Sequence, residues 1–187
     1  MPRTRTPLLI GLLAMLGASV AACAADVPIP GKLLFVKNGK VAKVIARATG
    51  APFTIPVSGG PTDPRTNASS LLIDDLGGDG ALAEADLAMG FWRALGNPPG
   101  SRGYVYSNPR AGAGPDPVRR IVLKSRIIKI VARDDGTLNG PVGGAVGVFL
   151  TLGTDTYCAR FGGQNAKNAR GLVRRRDAAA SSHGWGC

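Results

Sequence analysis

The pattern along the chain begins with two neighbouring apolar runs that contain only a few basic residues, Leu33–Lys37 and Lys40–Arg47. Short apolar runs of this length on either side of a turn are typical of β-strands. The segments are joined by Asn38-Gly39, a dipeptide that tolerates the positive φ angles of a type I′ turn. The pattern therefore predicts a β-hairpin.

A second apolar pair, Val118–Lys124 and Arg126–Arg133, predicts another hairpin, because Ile128, Ile130 and Ala132 fall on one face of its second strand and Lys129 and Arg133 fall on the other. Its second strand ends in Lys129-Ile130-Val131-Ala132-Arg133, which matches Lys43-Val44-Ile45-Ala46-Arg47 of the first hairpin almost residue for residue. The match suggests a duplicated hairpin, although five residues could also agree by chance among β-branched strands.

Other short apolar segments are separated by clusters of Gly, Pro, Asn and Asp, at the intervals typical of a sandwich. Ala81–Met89 is rich in residues of high helix propensity, but the glycines around it argue against a helix. We therefore predict an all-β protein with a single antiparallel β-sandwich, and the pattern leaves jelly-roll and immunoglobulin-like topologies open. The further strand candidates are Pro52–Val57, Ser70–Asp74, Leu87–Leu95, Gly103–Ser107, Ala145–Leu152 and Thr154–Phe161.

The first residues have the pattern of a secretory signal peptide: Arg3 and Arg5 without an acid, then the apolar stretch Leu8–Leu16 and small residues up to Ala25. We expect residues 1–25 to be the leader and residues 26–187 the mature domain, secreted or periplasmic. Two kinds of processing fit. Cys23 resembles the lipid-bearing cysteine of a bacterial lipobox, which would anchor the protein in the outer membrane, whereas the small residues around it also suit simple cleavage and release.

Cysteine usage agrees with export. With Cys23 removed or lipidated, Cys158 and Cys187 remain as an even pair, and an oxidising compartment favours a disulfide between them. Closing a loop of about 30 residues would contribute roughly 3.5 kcal/mol of stability. The bridge would hold a C-terminal tail whose composition could not hold itself in place.

Charge gives the main indication of a partner. The chain has 23 Lys and Arg against 12 Asp and Glu, and removing Arg3 and Arg5 leaves 21 against 12, a charge of +9. A basic cluster of this kind binds phosphates or carboxylates. Basic residues can equally be solvated strand edges that prevent aggregation. The candidate anion-binding residues are Arg119, Arg120, Arg126, Arg133, Arg174, Arg175 and Arg176.

The residue types that most often act as catalytic acids, bases or metal ligands are scarce in this chain. The chain has one His and one Glu, and His183 lies four residues from the end without a nucleophile motif. Asp75, Asp79 and Asp86 approach the spacing of a calcium loop, but the pattern is incomplete and a turn between strands explains it better. We expect no cofactor and no metal. The alternative is a hydrolase that uses Asp residues in a loop cleft.

The segments Phe91-Trp92-Arg93-Ala94-Leu95-Gly96, Gly103-Tyr104-Val105-Tyr106 and Tyr157-Cys158-Ala159-Arg160-Phe161-Gly162-Gly163 resemble a group of exported bacterial proteins of unassigned activity. The resemblance covers most of the mature chain and implies no reaction. The aromatic residues suit packing beside glycines. A carbohydrate platform is the alternative, formed by Trp92, Tyr104 and Tyr106 if these rings face outward.

Together these features predict an exported, non-catalytic envelope or extracellular module. Its expected partner is an anionic polymer such as lipopolysaccharide, acidic polysaccharide or DNA, or the envelope surface. The alternatives are the Asp-dependent hydrolase and a lipid-anchored structural protein of the outer membrane.

Overall fold

The computed structural model describes residues 25–37, 41–77, 80–112, 116–133, 144–162, 165–169 and 172–178. The described chain is all-β, and two sheets pack against each other as a sandwich, which confirms the predicted fold class. A short 3₁₀-helix, Met89–Phe91, interrupts the strands. The strands are β1 (Ala25–Pro28), β2 (Gly31–Lys37), β3 (Val41–Arg47), β4 (Ser69–Asp75), β5 (Gly80–Asp86), β6 (Trp92–Ala94), β7 (Tyr104–Ser107), β8 (Val118–Lys124), β9 (Ile127–Ala132), β10 (Val146–Leu152), β11 (Asp155–Phe161), β12 (Asn165–Ala169) and β13 (Leu172–Ala178).

The small sheet has the strand order β1-β11-β10-β4-β5, and the large sheet has the order β12-β13-β2-β3-β9-β8-β7-β6. Neighbouring strands are antiparallel except β1 and β11. The chain passes from the small sheet to the large one between β1 and β2. There the Ile29 amide donates to the Cys158 carbonyl (2.8 Å), and the Pro30 carbonyl accepts from the Arg47 amide (3.1 Å).

The core lies between the inner faces of the two sheets and consists of alternate residues of nearly every strand. In β2 and β3, for example, Leu34, Val36, Ala42 and Val44 are buried, while the residues between them are exposed or half-buried. Glycine allows one close approach between the sheets. A Cβ atom at Gly31 would collide with the Phe161 ring, so this ring packs directly on the β2 backbone.

Both predicted hairpins are confirmed: β2 pairs with β3, and β8 pairs with β9. Residues 38–40 at the first turn lie outside the described residues. Two predicted strands are wrong. Pro52–Val57 is irregular and is held by single contacts, such as the Phe53 amide donating to the Ser125 carbonyl (2.6 Å), and Leu87–Leu95 contains the 3₁₀-helix and only the short strand β6.

Three parts of the sheets had no strand prediction. The first is strand β1, which pairs with β11. Strand β5 has the composition of a helix, but it pairs along β4, and this pairing outweighs its weak helix propensity. Strands β12 and β13 extend the large sheet beyond β2. No helix within the described part of the chain has the length and apolar character needed to cross a membrane.

Candidate anion-binding face

The outer face of the large sheet carries a regular pattern of cations. Because paired residues in neighbouring strands point to the same side, the strand register defines rows of side chains that cross the sheet. One row crosses β13, β2, β3, β9, β8, β7 and β6 as Arg176, Leu33, Ile45, Lys129, Val122, Val105 and Arg93. The next row is Arg174, Phe35, Lys43, Val131, Arg120 and Ser107.

Cations and apolar residues differ in exposure along these rows. Lys43, Lys129 and Arg120 are exposed, and the aliphatic side chains beside them, such as Ile45 and Val131, are half-buried. Lys and Arg stems commonly cover apolar neighbours while their charged ends remain in water. The face therefore consists of a half-buried apolar layer with cations above it.

Acidic residues are missing from the described part of this face. None of the outward side chains described on β2, β3, β6, β7, β8, β9 and β13 belongs to Asp or Glu. Neighbouring strands lie about 4.8 Å apart. In the row with Lys43, cations on every second strand are therefore about 10 Å apart, without an acid in that row to neutralise them. This spacing creates a positive potential over a broad surface.

The predicted anion-binding arginines are only partly brought together. Arg120, Arg174 and Arg176 lie on the outer face, and Arg119 is exposed at a bulge in β8. Two further predicted arginines, Arg126 and Arg133, lie at the ends of this face. Arg126, in the β8–β9 turn, donates to the Gly50 carbonyl (3.3 Å), and Arg133 lies against Gly112.

Arg175 is separated from this group because the strand period directs it into the core, opposite Leu34. It is 3% exposed, and its Nη1 donates to the Phe161 carbonyl (2.6 Å). Burial lowers the pKa of Arg175, and attraction to buried Asp75 opposes this effect. Arg175 therefore contributes to the core and not to the outer face.

The three rings considered as a carbohydrate platform are also buried. Trp92 is 6% exposed, and Tyr104 and Tyr106 are 0% exposed. Trp92 donates through Nε1 to the Ser69 hydroxyl (3.0 Å) and packs edge-on against Tyr106 at 5.3 Å between centroids. These rings pack between the sheets and present no outward platform.

A cleft of about 390 Å³ near the edge of the small sheet is lined by Glu84, Ala85, Asp86 and Asp116. It contains the carboxylates that the hydrolase alternative requires. However, Asp116 accepts hydrogen bonds from the Tyr106 hydroxyl (3.1 Å), the Asn108 side chain (2.6 Å) and the Val118 amide (3.0 Å). These bonds connect the start of β8 to β7, so Asp116 supports the fold.

The remaining candidates give no site. Asp75 pairs with Gly80 and Asp86 pairs with Ser70, so the two carboxylates lie at opposite ends of the β4–β5 hairpin and cannot share a calcium ion. Asp79 lies outside the described residues. Within the described part of the chain, no group of three or more Asp, Glu, His or Cys side chains is placed to hold a metal ion.

The cysteine predictions stay predictions. Cys158 is 2% exposed in β11. Cys23, Cys187 and His183 lie outside the described residues.

Several cations of this face were not among the sequence candidates, which emphasised runs of arginine. Lys43, Lys129, Lys124 and Arg93 are isolated in the sequence and come together only through strand pairing. Their positions in alternating strands were the available signal, since each lies between two core residues or beside one.

Compared with protein-family models, with curated proteins and with solved structures, the chain matches none. The resemblance to exported bacterial proteins stays an expectation from sequence motifs.

Proposed function

We propose that this protein is an exported, non-catalytic module that binds anionic polymers on the outer face of its large sheet. The observation that carries the proposal is the set of outward Lys and Arg side chains on paired strands, without an acid among the described residues of that face. Binding of a polyanion there releases the counterions of both partners, and this release favours association.

The rigidity of the face supports the proposal. The cations project from strands that pair along their length, so their backbone positions are fixed before a ligand arrives. A preorganised array loses less conformational entropy on binding than a flexible basic tail does.

The proposal also includes export of the protein and its release from the membrane after the signal peptide is cleaved. We take residues 1–25 as a signal peptide and Cys158–Cys187 as a disulfide of the mature domain. Strand β1 begins at Ala25, and only one residue, Ala24, separates it from Cys23. A lipid on Cys23 would leave almost no tether between the sheet and a membrane, which favours release over anchoring.

Retention on immobilised heparin tests the proposed function. We expect the mature wild-type protein to elute above physiological ionic strength, about 0.15 M. Lys129→Glu reverses a charge at the centre of the face and should elute at clearly lower salt, because the bound polymer loses one attraction and gains one repulsion.

The matched control is Arg160→Glu, which makes the same charge change at an exposed position of the small sheet. It should elute close to wild type. Elution of the wild type well below physiological salt would refute the proposal. An equal shift in both variants would show that net charge, and not this face, determines retention.

A further inference from the structure

The two hairpins of the large sheet share more than the repeated pentapeptide. Each begins at a proline, and this proline's carbonyl accepts from the arginine amide at the end of the hairpin: Arg47 to Pro30 (3.1 Å) and Arg133 to Pro117 (2.7 Å). Each also has a register shift after the first strand residue, between Gly31 and Leu33 in one and between Val118 and Arg120 in the other.

These matches put the two hairpins into correspondence along their whole length. The Lys37–Val41 pair before the first turn corresponds to the Lys124–Ile127 pair before the second. The turns themselves differ by one residue, since 38–40 separate the first pair and 125–126 separate the second. Five agreeing residues could arise by chance, but a shared bulge and a shared closing hydrogen bond add independent agreement.

The corresponding hairpins are related by a local twofold axis perpendicular to the sheet. Strands β3 and β9 are antiparallel neighbours, and Val44 is paired with Ile130, its own counterpart in the repeat. The axis passes between these two residues. Accordingly, Lys43 pairs with Val131, and its counterpart Lys129 pairs with Ile45.

We propose that this symmetry makes the basic face a two-part site for a linear acidic polysaccharide long enough to reach Arg47 of the first hairpin and Arg133 of the second at once. This inference rests on the proposed function and names its substrate class. Three cation pairs are related by the axis: Lys37 with Lys124, Lys43 with Lys129, and Arg47 with Arg133.

The dimensions of the face set the required length of the polymer. Arg47, at the end of the first hairpin, is paired with Ile127 of the second hairpin. Ile127 lies six residues before Arg133 in strand β9 and its extension. At about 3.4 Å per residue, the two arginines are separated by about 20 Å along the strands. Lys43 and Lys129 lie between them as a central pair. A short anion can engage one end of this track, and a longer chain can engage both.

The apolar layer favours a polysaccharide over a nucleic acid. Half-buried aliphatic residues such as Ile45, Val122 and Val131 alternate with the cations, and sugar rings present apolar C–H faces between their acidic groups. Single-stranded nucleic acids bind through aromatic rings that stack on bases. Phe35 is the one aromatic residue among the described outward positions of this face.

Calorimetry with heparin oligosaccharides of increasing length tests the inference. Oligosaccharides that extend beyond about 20 Å should bind roughly 100-fold more tightly than those too short to reach both Arg47 and Arg133, because the second terminal contact becomes intramolecular. Lys43→Ala and Lys129→Ala should weaken long-chain binding equally, within about twofold. Each should lower the slope of log affinity against log salt by about 1. Arg93→Ala, a cation of the same face outside both hairpins, should have a smaller effect.

The outcomes separate this inference from the proposed function. If long heparin binds but affinity rises smoothly with length, or if the two lysine variants differ widely, the two-part site is refuted and the anion-binding face remains. If duplex DNA competes more strongly than the polysaccharide, the substrate class is refuted. If heparin of any length fails to bind, the proposed function itself is refuted.

Discussion

The two sheets of the sandwich share one core but present outer faces of opposite charge. The large sheet carries Lys and Arg outward, without an acid among its described outward residues. The small sheet carries Asp26, Asp74, Glu84 and Asp86 outward, and Arg160 is the one cation in its described strands. A net charge for the whole chain conceals this separation, which makes only one of the two faces attractive to an anionic polymer.

Distance keeps the two faces electrostatically distinct. Packed sheets are about 10 Å apart, and outward side chains add to this separation. At physiological ionic strength the Debye length is about 8 Å, so each face is screened from the charges of the other. At low salt the acidic face repels a polyanion that approaches from the wrong side, and the protein is oriented during the encounter.

The largest effect on stability is expected at Arg175, the arginine of β13 whose side chain points into the core between the two sheets. Arg175→Ala removes the donor to the Phe161 carbonyl and leaves buried Asp75 without its attraction. Loss of a buried hydrogen bond from a charged donor costs up to about 3 kcal/mol. We expect a decrease of this size in the free energy of unfolding, measured by urea denaturation.

Arg174→Ala and Arg176→Ala are the matched controls, because they remove the same residue type from the outer face of the same strand. Their free energies of unfolding should stay within about 0.5 kcal/mol of wild type, and their retention on heparin should fall. Equal destabilisation by Arg175→Ala and Arg176→Ala would contradict the inward and outward assignment of β13.

The strands that the sequence predicted well are apolar segments bounded by turn residues. Both hairpins of the large sheet have these features, as do β4, β7, β10 and β11. Strand β5 was missed because Ala, Leu and Glu favour helices, and only its pairing with β4 makes it a strand. Pro52–Val57 has strand-like residues but forms only isolated hydrogen bonds to its neighbours, as in the Tyr157 hydroxyl that donates to the Thr54 carbonyl (2.6 Å).

The sequence predicted the positive charge of the candidate face but not which residues form it. Three consecutive arginines look alike in the sequence, and Arg175 becomes distinct only because β13 pairs with β2. The isolated lysines of the face are distant in sequence and meet through the β3–β9 pairing. Long-range pairing is not encoded in local periodicity, so a charge run was easier to recognise than the dispersed cations of the sheet.

A smaller effect is expected in the loop that carries the chain from the large sheet to the small one. Asp63 is 0% exposed and accepts hydrogen bonds from the Gly59 amide (2.7 Å) and from the amide and guanidinium of Arg65 (2.6–3.0 Å). The Arg65 side chain lowers the pKa of Asp63 to about 2 from 3.8, despite the opposing effect of burial. The ionised carboxylate therefore stabilises the folded state.

The sign of this effect sets its pH range. Because the pKa is lower in the folded protein than in the unfolded chain, the stabilisation of about 2 kcal/mol is present above about pH 4 and is lost as the pH falls towards 2. Asp63→Asn should lose it at neutral pH. The difference in unfolding free energy between wild type and variant should shrink between about pH 4 and pH 2. Parallel pH curves for the two proteins would contradict the assigned role of this carboxylate.

The smallest expected effect tests whether the two faces are independent. Glu84→Gln combined with Asp86→Asn neutralises two exposed acids of the small sheet. At about 0.15 M salt the heparin affinity of this variant should change by less than about twofold, because the acids lie beyond the screening length from the basic face. At about 0.01 M salt, where the Debye length is about 30 Å, association should become faster. A tenfold gain in affinity at physiological salt would instead mean that the polymer reaches around the edge of the sandwich, and the binding surface would then have to include the acidic cleft beside β5.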